Sequence, residues 1–249
     1  MDLQLKDKLI IVSGGSRGIG AGIVKALAAE GAIPVIIDRS IPEPSATPHY
    51  IAELTDPAAC ENAIRSIIEK YGRIDGLVNN AGVNDGVGLE NGTYEQFIAS
   101  LHKNLVHYYL LAKYALPELK KSKGAIVNIS SKVAETGQGN TSAYAAANGG
   151  RNALTREWAV ELLPYGIRVN AVIVAECWTP LYESWIKTVP NPEEKLKSII
   201  SKIPLEHRMT TAEEIANMAT FLLSERSSHT TGQLIHVDGG YTHLDRAIS

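Results

Sequence analysis

Cysteine, long apolar runs and clustered histidine are all scarce in this chain. Its two cysteines, Cys60 and Cys177, have no metal-site spacing and are too few for a disulfide framework, as is typical of a reducing compartment. The N-terminus lacks an apolar run of signal-peptide length, and no apolar stretch reaches the roughly 18 residues of a membrane span. The histidines are scattered without metal spacing. We therefore expect a soluble cytoplasmic protein with no metal site.

Excess charge is also missing. The formal net charge of -3 provides no electrostatic basis for binding nucleic acid or an anionic membrane. The length of 249 residues, with 45% hydrophobic and 20% charged residues, is ordinary for a globular protein with a full core. No repeat or linker interrupts the chain, so we expect a single α/β domain over 1–249.

Short apolar runs alternate with helical patterns. The predicted strands are 9–12, 33–37, 76–78, 125–129, 168–173 and 233–237, and the predicted helices lie near 18–31, 58–71, 93–121, 143–163 and 211–223. This alternation predicts a doubly wound parallel sheet with helices on both faces and a ligand site at the carboxyl ends of the strands. The proline-rich stretch 41–48 is predicted as a surface loop. Residues 180–208 break the rhythm and are predicted as an inserted pair of helices, a lid over the sheet edge.

A glycine-rich segment follows the first predicted strand and opens the first predicted helix. It reads Ser13-Gly14-Gly15-Ser16-Arg17-Gly18-Ile19-Gly20. Glycines permit a tight turn and let backbone N–H groups approach a pyrophosphate at a helix N-terminus. The motif alone also fits an ordinary tight turn, but its position between a strand and a helix favours a dinucleotide site.

Asp38 ends the second predicted strand, where a carboxylate would accept hydrogen bonds from the adenosine ribose hydroxyls. The same carboxylate would repel a 2′-phosphate, which favours NAD. Arg17 and Arg39 oppose this assignment, because guanidinium groups clamp a 2′-phosphate. We expect NAD as the cofactor, with NADP as the alternative.

The glycine motif occurs together with Asn79-Asn80-Ala81-Gly82, Ser131 and Tyr144. In this combination the chain resembles the classical short-chain dehydrogenase/reductase family over nearly all of its length. The resemblance implies a Rossmann-like sheet of about seven strands and assembly into homotetramers. The implied cofactor contacts are Gly14, Ser16, Arg17, Gly18, Ile19, Gly20, Asp38, Arg39, Glu53, Leu54, Asn80, Ala81, Gly82, Tyr144, Asn148 and Thr179.

The resemblance also implies a catalytic set of Asn104, Ser131, Tyr144 and the residue four positions after the tyrosine. Tyr144 would exchange the proton with the substrate, Ser131 would hydrogen-bond the substrate oxygen, and Asn104 would hold a water of the proton relay. Ser130 is assigned only to strand-end capping. The family has a lysine four residues after the tyrosine, whereas this chain has Asn148.

Asn148 removes a charge from the expected active site. A free tyrosine has a pKa near ~10, so a phenolate at neutral pH needs roughly 3–4 kcal/mol of stabilisation. A lysine about 5 Å away at an effective dielectric of ~20 contributes roughly 3 kcal/mol. The Asn148 amide has no charge, although it can still hydrogen-bond the nicotinamide ribose. The cationic oxidised nicotinamide would supply part of the field. Lys132 is a less favoured substitute, because its side chain is expected on the opposite face from Ser131.

Four segments, 79–86, 136–142, 175–182 and 237–246, resemble the sugar-oxidising branch of the family that includes L-fucose dehydrogenase. Polar and aromatic residues in them would contact a substrate with several hydroxyls: Asn84, Gln138, Asn140, Glu176 and Trp178. Trp178 and Trp185 flank or enter the predicted lid, whereas Trp158 is expected to pack at a helix or subunit interface.

The sequence therefore predicts NAD(P)-dependent oxidation of a secondary or anomeric hydroxyl of a sugar or polyol, with an L-fucose-like aldose favoured. Activity is expected to be reduced or abolished by Asn148. A catalytically silent dinucleotide-binding sensor or assembly subunit is the alternative.

Overall fold

Seven strands form one parallel sheet in the computed structural model, which describes residues 1–40 and 46–244. They are β1 Leu9–Ser13, β2 Ile33–Asp38, β3 His49–Ile51, β4 Gly76–Asn79, β5 Ala125–Ser131, β6 Arg168–Val174 and β7 Leu234–Val237. Their order in the sheet is β3-β2-β1-β4-β5-β6-β7. The order reverses between β1 and β4, which is where such sheets bind ligands. Positions 41–45 of the predicted loop and 245–246 of the tail lie outside the described residues.

The helices cover both faces of this sheet, as the sequence predicts. They are α1 Gly18–Ala29, α2 Pro57–Tyr71, α3 Tyr94–Leu101, α4 His107–Ser122, α5 Ser142–Glu161, α6 Pro180–Ile186, α7 Pro192–Ile200 and α8 Ala212–Leu223. Local signals set several ends. Thr93 and Thr211 form capping boxes at α3 and α8, and left-handed Gly72 ends α2, because only glycine adopts that conformation without strain.

Two apolar cores sandwich the sheet. Alternate residues of each central strand point to opposite faces, and both sets are apolar, so the strands read as continuous apolar runs. Helices α2, α4 and α5 cover one face, and Trp158 packs there with 7% of its surface exposed, which confirms its expected packing role. Helices α1 and α8 cover the other face.

The helices differ from the sequence prediction in one region and agree with it in another. The pattern over 93–121 is not one helix, because a π-helical turn at His102–Val106 separates α3 from α4. The prediction of a helix pair within 180–208 is confirmed by α6 and α7. In the part of the chain that the structure describes, no helix is long and apolar enough to cross a membrane.

Candidate active site

The glycine-rich loop between β1 and α1 is built for close backbone packing. Gly14 and Gly18 have φ values of 64° and 54°, which favour glycine. A Cβ on Gly20 would lie 2.1 Å from the Gly14 carbonyl oxygen. Asn80 braces the loop, since its Nδ2 donates to the carbonyl oxygens of Ser13 and Gly14 at 3.0 and 3.1 Å. Helix α1 has no side-chain cap at its N-terminus, which leaves its first N–H groups for an anion.

Asp38 lies beside this loop. Its carboxylate accepts the backbone N–H of Ser16 at 3.2 Å and that of Arg39 at 2.8 Å. The side chains of Arg17 and Arg39 are exposed at the same edge. Acidic and basic groups therefore meet where the sequence places the adenosine end of a dinucleotide.

The remaining predicted cofactor contacts differ in environment. The Glu53 carboxylate accepts hydrogen bonds from the N–H and hydroxyl of Thr55, and Leu54 belongs to the apolar core. Thr179 caps α6 by accepting the N–H of Tyr182 at 3.2 Å. Its Cβ would lie 3.4 Å from a Cβ on Gly18, so α6 begins against the glycine-rich loop.

The π-helical turn buries Asn104 completely. Its Oδ1 accepts the N–H of Val83 at 2.8 Å, which holds the chain just after Gly82. Its backbone carbonyl accepts a hydrogen bond from Arg151 Nε at 2.6 Å. The backbone carbonyl of Asn104, the residue to which the family resemblance assigns a relay water, therefore already accepts a hydrogen bond from a cation.

The two serines at the end of β5 make different contacts. Ser131 caps the following 3-10 turn, Lys132–Ala134, by accepting the Val133 N–H at 3.4 Å. Ser130 is buried and donates to the Asn148 carbonyl at 3.3 Å. The expectation that Ser130 only caps the strand end is wrong, because its hydroxyl links β5 to α5.

Tyr144 stands half-buried in the first turn of α5, and Asn148 lies one turn further along, fully buried. The Asn148 Nδ2 donates to the Tyr144 carbonyl at 2.8 Å, and its Oδ1 accepts from Arg151 Nη1 at 3.0 Å. One Nδ2 hydrogen of Asn148 is therefore used within α5, and its oxygen is bound to a cation.

The sequence motifs do not assign a role to Arg151. Only 3% of its surface is exposed, and its guanidinium carbon lies 4.3 Å from the Tyr108 ring centroid and 6.0 Å from that of Tyr144. Its described acceptors are neutral oxygens, and Nη2 has no partner among the described residues. A Cβ on Gly82 would lie 2.7 Å from this Nη2. A buried cation therefore faces the predicted cofactor cleft beside Tyr144.

One signal for Arg151 exists in the sequence. Positions 144, 148 and 151 lie on one helix face by their spacing, and a charged residue on an inward face needs a partner or a function.

The Arg151 charge also changes the pKa of a second buried residue. Burial and the nearby Arg151 guanidinium lower the pKa of His107 to about 3.

Lys132 does not stand in for the missing lysine. It is buried, and its ammonium group pairs with the Glu176 carboxylate and lies 3.9 Å from the Tyr241 ring centroid. The other Glu176 oxygen accepts the Tyr182 hydroxyl at 2.8 Å. Burial, and then the Glu176 charge, raise the pKa of Tyr182. Glu176 is thus part of a fixed ionic wall rather than a free carboxylate.

The predicted substrate residues lie on neighbouring loops and the lid. Asn84 accepts the Gly86 N–H in the loop after β4. Asn140 lies against Gly88, with its Cα 3.1 Å from a Cβ built there, while Gln138 is exposed. The Tyr182 ring contacts those of Trp178 and Trp185 in tilted and edge-to-face geometry, with centroids 6.0 and 5.1 Å apart. Both tryptophans are 42% exposed.

Two histidines meet although the sequence predicts no histidine cluster. His236 on β7 and His243 in the C-terminal segment lie with ring centroids 4.3 Å apart. Both approach the Glu135 carboxylate, after the 3-10 turn that follows β5. The expectation of scattered histidines is wrong for this pair, because the parallel sheet places β7 near the end of β5.

Known proteins are similar to this chain in sequence and in architecture. A family model described as enoyl-(acyl carrier protein) reductase matches residues 14–242. The chain is 36% identical to the L-fucose dehydrogenase of Bos taurus over 248 residues, which cover 96% of this chain and 91% of the bovine protein.

Two solved structures superpose closely. A crystal structure of Cj0485 dehydrogenase has 48% identity and a TM-score of 0.96, with 99% of this chain and 98% of that one covered. The ligand-free aldohexose dehydrogenase of Thermoplasma acidophilum has 30% identity and a TM-score of 0.93, with the same two coverages. The chain is therefore an oxidoreductase that belongs to the classical short-chain dehydrogenase/reductase family and is related to its L-fucose dehydrogenase branch.

Proposed function

We propose that this protein oxidises a hydroxyl of a sugar or polyol with NAD(P) as hydride acceptor, and that an L-fucose-like aldose is its preferred substrate. The observation that supports this best is the placement of the buried Arg151 guanidinium 6.0 Å from the Tyr144 ring centroid and against Gly82. Similarity to an L-fucose dehydrogenase and an aldohexose dehydrogenase favours a sugar. The neighbouring loops and lid offer the hydrogen-bonding groups and aromatic surface that a sugar needs.

The described residues fit a dinucleotide. The turn at Gly20 excludes any side chain, the first N–H groups of α1 have no side-chain cap, and the unpartnered Nη2 of Arg151 lies beside Gly82. A bound oxidised nicotinamide would supply the hydride acceptor for the carbinol carbon. Tyr144 would take the hydroxyl proton as the base, while Ser131 would hold the substrate oxygen.

Arg151 takes over the electrostatic part of the missing lysine's role in this proposal. The guanidinium carbon lies 6.0 Å from the Tyr144 ring centroid. A cation at this range favours the charged phenolate over the neutral tyrosine. Burial of the guanidinium limits screening by solvent and salt.

Arg151 does not replace the lysine in proton transfer. A guanidinium stays protonated in proteins, so it stabilises a phenolate without passing a proton onward. It also donates to the backbone carbonyl of Asn104, the residue to which the family resemblance assigns the relay water. We therefore propose that hydride transfer is retained and that release of the proton from Tyr144 limits turnover.

NAD is the proposed cofactor and NADP the alternative. The Asp38 carboxylate would accept hydrogen bonds from the ribose hydroxyls, and it would repel a 2′-phosphate. Titration of NADH and NADPH by fluorescence tests this choice, with Asp38→Asn as the variant and Glu61→Gln, an exposed acid of α2, as the matched acidic control. We expect the parent to favour NADH, Asp38→Asn to reduce that preference at least tenfold, and Glu61→Gln to retain it. Tighter binding of NADPH by the parent would show that Arg17 and Arg39 dominate.

The substrate would lie between the loops after β4 and β5 and the lid. Asn84, Gln138 and Asn140 would offer hydrogen bonds to its hydroxyls, and Trp178 would cover an apolar ring face. Glu176 would act through its ion pair with Lys132, which sets the shape and charge of the wall. We also propose a homotetramer in the cytoplasm, which light scattering on the purified protein and localisation of a tagged chain would check.

A silent dinucleotide-binding protein is the second candidate function. The observation that favours it is that Asn148 and the Asn104 carbonyl are both already hydrogen-bonded within the protein. Such a protein would bind NAD(H) and sense it or support an assembly without turnover.

Binding and turnover together separate the two functions. We expect NADH to bind with a micromolar dissociation constant and an aldose panel to show slow oxidation, fastest with L-fucose or a close relative. Binding without turnover, both in the parent and in Asn148→Lys, would favour the silent protein. No binding of either dinucleotide would contradict both proposals.

A further inference from the structure

Glu135, His236 and His243 form a three-residue cluster on the side of α5 away from Tyr144. Glu135 Oε2 lies 3.0 Å from His236 Nε2 and 3.7 Å from His243 Nε2. One ligand atom from each residue lies within 4.8 Å of those of the other two. The cluster borders a cavity of about 480 Å³ that Asn152 and Arg156 also line. It has no part in the proposed hydride transfer.

The spacing of these atoms fits a tetrahedral metal ion. Zinc binds imidazole nitrogen and carboxylate oxygen at about 2.0–2.2 Å, so adjacent ligand atoms of a tetrahedral site lie about 3.4 Å apart. The two carboxylate–imidazole distances in the cluster fall on either side of this value. Small rotations of the exposed His243 side chain would bring all three atoms into range.

We propose that Glu135, His236 and His243 bind a divalent transition-metal ion of the zinc class, with the fourth position open to the cavity. Two imidazoles and one carboxylate suit such ions, whereas magnesium and calcium prefer oxygen ligands alone. The carboxylate offsets part of the positive charge that the ion adds near Arg156. That guanidinium disfavours a further cation, so we expect micromolar rather than tighter binding.

Asn152 supplies an independent observation. Its side chain is 6% exposed, and its Nδ2 donates to Glu135 Oε1 at 3.4 Å, which orients the carboxylate as an outer partner of a metal ligand does. Its Oδ1 is buried with no hydrogen-bond partner among the described residues. Buried amide oxygens are normally satisfied, and a water on the open metal position would donate to this one.

The ion would fasten the C-terminal segment to the sheet. Glu135 lies four residues after Ser131, and His243 lies two residues after Tyr241, whose ring covers the Lys132 ammonium group. A metal bond across this cluster would therefore hold the tail against the ionic wall of Lys132 and Glu176. The proposed role is structural, since the cluster contacts neither Tyr144 nor Arg151 in the described contacts.

Calorimetric titration of zinc chloride into the tag-free, chelator-treated full chain tests the site. We expect one zinc ion per chain at micromolar affinity, and no binding of magnesium under the same conditions. His243→Asn and Glu135→Gln should each weaken zinc binding at least tenfold. His229→Asn is the matched control, because it removes an exposed histidine elsewhere and should leave the affinity unchanged.

Thermal unfolding provides the second measurement. The His243 side chain is 64% exposed, so His243→Asn should unfold at the parent's temperature without metal. Zinc should raise the unfolding temperature of the parent and of His229→Asn, with a much smaller rise for His243→Asn and Glu135→Gln. Absence of zinc binding by the parent would overturn the proposal. Equal affinities of the parent, His243→Asn and Glu135→Gln would overturn it as well.

Discussion

Arg151 donates a hydrogen bond from Nη1 to the Asn148 Oδ1 at 3.0 Å, within one turn of α5. The neutral amide at position 148 therefore helps to satisfy the buried guanidinium at position 151. A lysine at 148 would remove this acceptor and place two cations side by side in a buried site, which costs free energy. The absence of a lysine at position 148 is thus physically coupled to the presence of Arg151 three residues later.

We expect Asn148→Lys to raise turnover of L-fucose or a related aldose by at least tenfold. A lysine amine adds charge near Tyr144 and can also pass a proton, which the Arg151 guanidinium does not do. Steady-state kinetics on both proteins, at saturating cofactor, measure the effect. The unfolding temperature should fall, because two like charges then share the site.

Asn148→Gln is the matched control for this substitution. It lengthens the side chain without adding charge, so its turnover should stay within a few-fold of the parent. Equal rates for the parent and Asn148→Lys would show that the charge at this position is not what limits the reaction.

Arg151→Met should slow the reaction and move its pH profile. Loss of the cation beside Tyr144 would destabilise its phenolate, so the acid limb of kcat/KM for oxidation should shift to higher pH and the rate at pH 7 should fall by about tenfold or more. Arg151→Lys retains a cation and should keep most of the parent's profile. The measurement is the rate of NADH formation as a function of pH.

The pH profile separates an electrostatic role from a structural one. Arg151 also holds the carbonyl oxygens of Asn104 and Ile129, so Arg151→Met will lower stability in either case. A uniform loss of rate in Arg151→Met, with the acid limb unmoved, would assign Arg151 to structure alone.

Most of the fold follows from the sequence because its central strands are buried on both faces and read as continuous apolar runs. The sequence does not predict the edge strand β3, His49–Ile51, because that strand has no such run. It does not predict the π-helical turn at His102–Val106 either, since this turn changes the hydrogen-bond register without a helix-breaking residue.

The sequence places candidate site residues on elements where local motifs decide, but it does not show their tertiary partners. Gly14 lies in the turn after β1, Asn80 follows β4 and Tyr144 lies in α5, as short segments of strand, turn and helix predict. The carbonyl acceptors of Arg151 at Asn104 and Ile129 come from distant segments, and sequence spacing does not reveal them. The Lys132–Glu176 pair, for example, joins residues 44 positions apart.

Gly20→Ala should abolish dinucleotide binding. The added Cβ would lie 2.1 Å from the Gly14 carbonyl and 2.6 Å from Asn80 Nδ2, so the loop must open and the bracing hydrogen bonds must break. We expect loss of NADH fluorescence enhancement together with a lower unfolding temperature. Gly137→Ala is the control, because no atom lies within 4 Å of its added Cβ. Similar NADH affinities for the two variants would contradict the proposed phosphate site.

His107 should make the protein sensitive to mild acid. Burial, reinforced by the Arg151 charge, lowers its pKa to about 3, whereas in the unfolded chain a histidine has a pKa of about 6.5. Between these values the unfolded state binds a proton that the native state excludes. The native state therefore loses stability as the pH falls from 6.5 towards 3.

His107→Gln should remove this part of the acid sensitivity. Glutamine can donate to the Lys103 carbonyl, as His107 Nε2 does at 2.9 Å, but it does not titrate. From pH 7 to pH 5 the parent should lose about 2 kcal/mol more of its free energy of unfolding than His107→Gln does. Urea unfolding of both proteins at the two pH values, at one protein concentration, measures this difference, and other titrating groups cancel between them. Parallel losses in the two proteins would mean that His107 takes up its proton in the native state as readily as in the unfolded chain.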